Sequence, residues 1–197
     1  MLNLILVRHG ETDSNRKGTY MGWTDVELNS VGLSQAYCTR EKLRNEKVEH
    51  IISSPLKRAA KTAEIINENF GLDIIYSESL KERNFGVWDD LPLEAIMERY
   101  REDYEMWRQD WKNYSIDGGE SACQAYERIT GYVDDLVNRY SDSTVIIVTH
   151  LGCIRKITAH LLGMGIDGSW HFRVDNCGIT RITINDERYA YLTQLNA

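Results

Sequence analysis

The chain has no apolar run of membrane-spanning length, which argues against a helical membrane protein. It lacks a basic leader, and Arg8 interrupts the first apolar stretch too early for a secretory signal. A cytoplasmic location is therefore expected. Cysteine is scarce and scattered. Cys38, Cys123, Cys153 and Cys177 share no CxxC spacing, so neither a zinc site nor a redox pair is indicated and free thiols are expected. A basic excess is also absent. The 23 Lys and Arg face 30 Asp and Glu, for a formal net charge of -7, which argues against a general nucleic-acid partner. No metal-ligand cluster is visible, so no metal and no cofactor are expected. There is no internal repeat, low-complexity tract or linker. Residues 1–197 are read as one domain.

What is present is a set of strand-like and helix-like segments in alternation. Leu2 to Val7 is an apolar run without polar alternation after Asn3, the pattern of a buried strand. Asp13 to Asn29 is polar and glycine-containing and is expected to be a loop. Leu33, Ala36, Tyr37 and Leu43 fit a helix, and Ile51 to Ser53 a short strand. Ser54-Pro55 predicts a helix start, with serine as cap and proline at the first helical position. Ala59, Ala63, Ile66 and Phe70 continue it, and Gly71 supplies a C-terminal stop. Asp73 to Tyr76 is a third short strand. Leu93 to Trp111 predicts one or two helices. Ser121 and Gln124 match a capping box ahead of a long amphipathic helix. Val145 to Val148 is the most strand-like run, and a helix from about Leu151 to Leu162 follows it. Two or three strands are expected after Trp170, for instance Ile179 to Ile184 and Tyr189 to Leu195. This order predicts an α/β fold, a three-layer α/β/α sandwich whose central sheet is mostly parallel with an antiparallel edge strand.

Two of the strands end in histidine, Val7-Arg8-His9 and Val148-Thr149-His150. Ligands of open α/β sheets bind outside the carboxyl ends of the strands. Parallel central strands would bring both histidines to that rim. Arg58, in the first turn of the helix after the second strand, would reach the same place. Arg8 leaves a strand end, where a buried charge needs a partner. Two arginines and two histidines around one point repel each other unless an anion lies between them. Guanidinium groups fork onto phosphate oxygens in a way that lysine cannot copy. Glu82, in the loop after the third strand, is a candidate proton donor for a leaving alcohol, although pattern alone does not separate it from Glu78.

These residues carry a family resemblance. Arg8-His9-Gly10-Glu11-Thr12 with Asn15 resembles the signature of the histidine phosphatase, or phosphoglycerate mutase-like, superfamily. Five further blocks follow in order: Gly22-Trp23-x-Asp25-x-x-Leu28, Ser53-Ser54-Pro55-Leu56-x-Arg58-Ala59, Leu80-x-Glu82-x-x-Phe85-Gly86-x-Trp88, Gly118-Gly119-Glu120-Ser121 and Val148-Thr149-His150-x-Gly152-x-Ile154-Arg155. Leu151 stands where the family often has glycine, at a position that usually offers only its backbone N–H. Asp89-Asp90 replaces the common Glu-Gly.

The resemblance implies a phosphoglycerate mutase-like fold and a metal-free mechanism. His9 would attack phosphorus and become a phosphohistidine. Arg8, Arg58 and His150 would hold the equatorial oxygens, with Asn15 as a further donor. Glu82 would protonate the leaving oxygen. Gly22, Leu151 and Asn176 complete the expected substrate contacts.

Two stretches narrow the likeness. Glu102-Asp103-Tyr104-x-x-Trp107-x-x-Asp110-Trp111 and Trp170-His171-Phe172-Arg173-Val174-Asp175 are similar to the α-ribazole phosphatases of cobalamin nucleotide-loop assembly. That implies a small-molecule phosphate monoester, α-ribazole 5′-phosphate, as substrate. The alternatives are a broad-specificity phosphatase, a cofactor-dependent phosphoglycerate mutase, or a non-catalytic phosphate-binding protein. The short chain speaks against the mutase. Trp23, Trp107 and Trp111 are candidates for stacking on a base, and the latter two fit equally as core residues. His171, Arg173 and Asn176 are candidates for the pocket border. Monomer and homodimer both stay open.

Overall fold

The computed structural model describes residues 1–197. Six strands form one sheet: β1 (Leu2–Arg8), β2 (His50–Ser53), β3 (Ile74–Tyr76), β4 (Thr144–Thr149), β5 (Ile179–Ile184) and β6 (Ala190–Gln194). Their spatial order is β3-β2-β4-β1-β5-β6. β3, β2, β4 and β1 run parallel, while β5 pairs antiparallel with β1 and β6 antiparallel with β5. The expected single antiparallel edge strand is thus a pair, because the tail turns back on itself after Ile184.

Seven α-helices surround the sheet: α1 (Asp13–Lys17), α2 (Ser30–Leu43), α3 (Lys57–Asn67), α4 (Leu93–Arg99), α5 (Arg101–Gln109), α6 (Ala122–Arg139) and α7 (Leu151–Leu161). The alternation of β1 shows the layering. Leu2, Leu4 and Leu6 cluster with residues of α6 and α7, including Ile129, Val133, Ile154 and Ile157. Ile5 and Val7 cluster instead with Ala59, Ala63 and Ile66 of α3 and with Leu43 of α2. Helices cover both faces, which is why the central strands carry β-formers on both sides. Each fully buried Leu or Ile contributes about 1.5–3 kcal/mol. No helix is long and apolar enough to cross a membrane, and all four cysteines are free thiols.

Three local expectations change. Within the expected loop, Asp13–Lys17 forms a helical turn, held by a Thr12–Asn15 capping box and closed by Gly18 at φ +70°. Helix α3 begins two residues later than Ser54-Pro55 predicts, and its N-cap is Leu56. Asp25, reaching in from a distant loop, accepts the Lys57 amide at 2.7 Å, which leaves the Ser54 hydroxyl available elsewhere. The stretch before β5 forms a 3₁₀ turn at Ile166–His171 rather than a strand. The Leu93 to Trp111 region resolves into two helices, broken at Tyr100.

Candidate active site

β1 and β4 are neighbours in parallel register, with Val7 opposite Val148 and Arg8 opposite Thr149. The next residue of each strand is histidine, so the two rings meet with centroids 5.2 Å apart. His9 Nδ1 lies 2.7 Å from the Gly10 carbonyl oxygen. A carbonyl only accepts, so Nδ1 carries the hydrogen and Nε2 keeps its lone pair. Burial, then the charges of Arg58 and Arg8, push the His9 imidazole well below its ordinary value of 6.5. A neutral ring with a free Nε2 is the protonation state that a nucleophile requires. The Gly10 turn is tight because α2 comes close: a Cβ on Gly10 would lie 2.4 Å from the Gly32 carbonyl oxygen, which only glycine allows.

His150 is buried and shares a 2.8 Å hydrogen bond between Nε2 and the Ser54 hydroxyl. This is the hydroxyl that α3 does not use as its cap. Burial and Arg58 are the largest causes that hold the His150 imidazole well below 6.5.

The Arg58 side chain is fully buried. Its Nη1 donates to the Thr24 carbonyl at 2.9 Å and its Nη2 to the Gly22 carbonyl at 2.6 Å. Asp89 fixes the turn that presents those carbonyls. Its carboxylate accepts the amides of Gly22, Trp23 and Thr24 at 2.7, 2.6 and 3.0 Å. Arg8 donates from Nη1 to the Val174 carbonyl at 2.8 Å. Burial lowers the pKa of both arginines, while Glu82 is the largest charge that raises them. Arg8 Nε, Arg58 Nε and His150 Nδ1 are buried and have no hydrogen-bond partner in the chain. Buried donors left unpaired cost roughly 1–3 kcal/mol each.

Glu82 faces the same cavity as Arg8 and His9. Its Oε1 accepts the Arg83 amide at 2.9 Å and its Oε2 the Gly152 amide at 2.8 Å. The loop that carries it is pinned from three sides. Thr149 Oγ1 donates to the Leu80 carbonyl, Arg128 Nη1 to those of Ser79 and Lys81, and Trp23 Nε1 to that of Glu82. Glu78, its rival on sequence pattern, pairs with Lys81 and is exposed to solvent.

The cavity has a volume of about 460 Å³. Arg8, His9, Asn15 and Leu151 line it, while Arg58 and His150 do not. Asn15 Oδ1 is engaged by the Thr12 amide and by Asn176, so its NH₂ is the end left for a ligand. The Leu151 N–H is the first amide of α7 and has no intrahelical acceptor. Gly22 and Asn176 are not on this wall. The Gly22 amide is taken by Asp89. Asn176 Nδ2 donates to the His9 carbonyl at 3.0 Å and to Asn15 Oδ1 at 3.2 Å, behind the site, where it borders a separate cavity of about 530 Å³. Trp107 and Trp111 line the 460 Å³ cavity, while Trp23 does not. His171 and Arg173 are exposed, and Arg173 pairs with Asp175.

Sequence reasoning assigned no pocket role to Arg83, Arg155, Lys156, Tyr20, Phe85 or Trp170, which all line the cavity. A signal existed for two of them. Positions 151, 152, 155 and 156 lie on one face of a helix that starts at the rim. No group of three or more His, Cys, Asp or Glu is placed to hold a metal ion.

A sheet rim that holds a neutral, oriented histidine within the field of two guanidinium groups, with a carboxylate on the same cavity, defines a phosphate-handling enzyme. The family model of the histidine phosphatase superfamily (branch 1) matches residues 4–196, and the chain belongs to that superfamily. It is 34% identical over 192 residues to phosphoserine phosphatase 1 of Hydrogenobacter thermophilus, covering 98% of this chain and 91% of that protein. It is 30% identical over 196 residues to the adenosylcobalamin/alpha-ribazole phosphatase of Escherichia coli, covering 100% and 96%. The crystal structure of the alpha-ribazole phosphatase from Shigella flexneri superposes with a TM-score of 0.94 at 30% identity, over 99% of this chain and 96% of that one.

Proposed function

We propose that the chain hydrolyses phosphomonoesters through a phosphohistidine on His9, and that its substrate is α-ribazole 5′-phosphate in cytoplasmic cobalamin nucleotide-loop assembly. In the first step His9 Nε2 attacks phosphorus in line. The N–P bond forms as the bond to the ester oxygen breaks, and Glu82 gives its proton to that oxygen. Arg8, Arg58 and His150 hold the equatorial oxygens, with the Asn15 NH₂ and the Leu151 N–H as added donors. In the second step Glu82, now a carboxylate, takes a proton from water, which attacks phosphorus and returns His9 to its neutral form. The observation that carries this reading is the His9 tautomer. Its Nδ1–H is fixed on the Gly10 carbonyl, and burial together with two arginines disfavours protonation of the ring.

The choice of ester is supported by the α-ribazole phosphatase relatives and by the cavity lining. Tyr20, Phe85, Trp107, Trp111 and Trp170 offer ring faces and edges to a flat base. A second reading, phosphoserine, is favoured by the cations Arg83, Arg155 and Lys156 on the same wall, which suit a leaving group with a carboxylate. The deciding experiment compares kcat/KM for α-ribazole 5′-phosphate, O-phosphoserine, 3-phosphoglycerate and p-nitrophenyl phosphate. The proposal expects α-ribazole 5′-phosphate to lead by at least tenfold. Equal values on all four would remove the cobalamin assignment, and a lead for phosphoserine would replace it.

A further inference from the structure

Three cations besides Arg8 line the cavity, and two of them are tied to the backbone by short hydrogen bonds. Arg83 Nε donates to the Glu120 carbonyl at 2.8 Å, and its guanidinium lies over the Phe85 ring. Arg155 Nε donates to the Phe172 carbonyl at 2.7 Å, and its guanidinium lies over the Trp170 ring. Lys156 differs. Its ammonium makes one long contact, 3.5 Å to the Gly152 carbonyl oxygen one helical turn earlier.

An ammonium has three donors, so at least two are unspent. Burial lowers the Lys156 pKa. Glu82 and Cys153 act against that effect, while Arg83 and Arg128 add to it. A half-buried cation that faces a cavity gains more from a hydrogen-bond acceptor than one in open water does. Its position also limits where that acceptor lies. Gly152, whose carbonyl it touches, is the residue whose amide holds the Glu82 carboxylate. Lys156 is therefore one turn of α7 away from the residue that holds Glu82.

We propose that Lys156 determines specificity by donating from its ammonium to an oxygen acceptor carried on the leaving alcohol close to the ester carbon. This rests on the phosphatase reading of the site. Two sources supply that chemistry: a ribose hydroxyl of a nucleotide-like ester, and the carboxylate of a phosphorylated amino or hydroxy acid. An aryl ester such as p-nitrophenyl phosphate offers no acceptor in that position.

The test compares Lys156→Met and Lys156→Arg with the unaltered chain on α-ribazole 5′-phosphate, O-phosphoserine and p-nitrophenyl phosphate. The quantity read is the kcat/KM of each acceptor-bearing ester divided by that of the aryl ester. In Lys156→Met this ratio is expected to fall at least tenfold, the lower end for a charge-assisted hydrogen bond, with most of the change in KM. Lys156→Arg is expected to restore part of it. A fall with α-ribazole 5′-phosphate identifies the hydroxyl source, and a fall with O-phosphoserine the carboxylate. A ratio within threefold of the unaltered enzyme for both esters overturns the proposal. So does a fall matched by an equal loss of inhibition by inorganic phosphate, which would place the defect in the phosphate site. Failure of the phosphatase reading is a separate result: no turnover of any ester by the unaltered chain.

Discussion

The Gly152 amide donates to Glu82 Oε2 at 2.8 Å, and a methyl group on Gly152 would lie 2.3 Å from Oε1 of the same carboxylate. Glycine is needed there for the neighbour's position and not for its own backbone angles. A carboxylate at the end of a flexible side chain can move aside, so Gly152→Ala is expected to change stability by less than about 1 kcal/mol. Moving the carboxylate removes the proton donor from the ester oxygen. The kcat for an alkyl phosphate is expected to fall at least tenfold, and for p-nitrophenyl phosphate, whose leaving group needs little protonation, much less. An equal loss on both would show that Gly152 does not act through Glu82.

Asp89 positions Arg58 through the turn between them. Its carboxylate holds three amides of Gly22–Thr24, and two carbonyls of that turn hold the guanidinium. Asp89→Ala is expected to cost about 1–3 kcal/mol of stability. It is also expected to weaken competitive inhibition by inorganic phosphate at least tenfold, with Asp89→Asn intermediate. Loss of stability with unchanged phosphate inhibition would reduce Asp89 to a structural residue.

The two strand-end histidines also set a pH dependence of stability. Both are held well below 6.5 in the folded chain, chiefly by burial and by Arg58. Above that value they are neutral in the folded and unfolded states and add no slope. Below it the unfolded chain takes up protons that the folded chain refuses, so stability falls as pH falls. The limit is about 1.4 kcal/mol per pH unit for each histidine. Between pH 6.5 and about pH 5, Tm is expected to fall more steeply for the unaltered chain than for His150→Asn. Equal slopes in the two proteins would contradict the shift.

Much of this site was legible because it is built from strand ends. β1 and β4 are buried between helix layers, and their unbroken apolar runs stop at His9 and His150, so the boundary of burial marks the chemistry. Arg58 followed from parallel strand-helix geometry. Other features were hidden because distant residues decide them. The Asp25 side chain accepts an amide at the start of α3 from 32 positions earlier in the chain, and no local signal competes with Ser54-Pro55 as a cap. The α1 turn has almost no apolar periodicity and is held by side-chain capping. Gly22, from a family motif, and Asn176, a candidate for the pocket border, lie near the site, but each spends its donor on the chain itself. Lys156 is not legible in the same way, because a lone lysine on a helix reads as a solvated side chain until the cavity beside it is known.

The proposed mechanism requires His9 Nε2 to take the phosphoryl group. The direct measurement mixes the enzyme with substrate, quenches it in alkaline denaturant, where a phosphohistidine survives, and locates the phosphoryl group by peptide mass spectrometry. The expected result is a phosphoryl group on His9 during turnover. In His9→Ala none should form and turnover should be lost, while inorganic phosphate still binds. A phosphoryl group on another residue, or substantial turnover by His9→Ala, would contradict the mechanism.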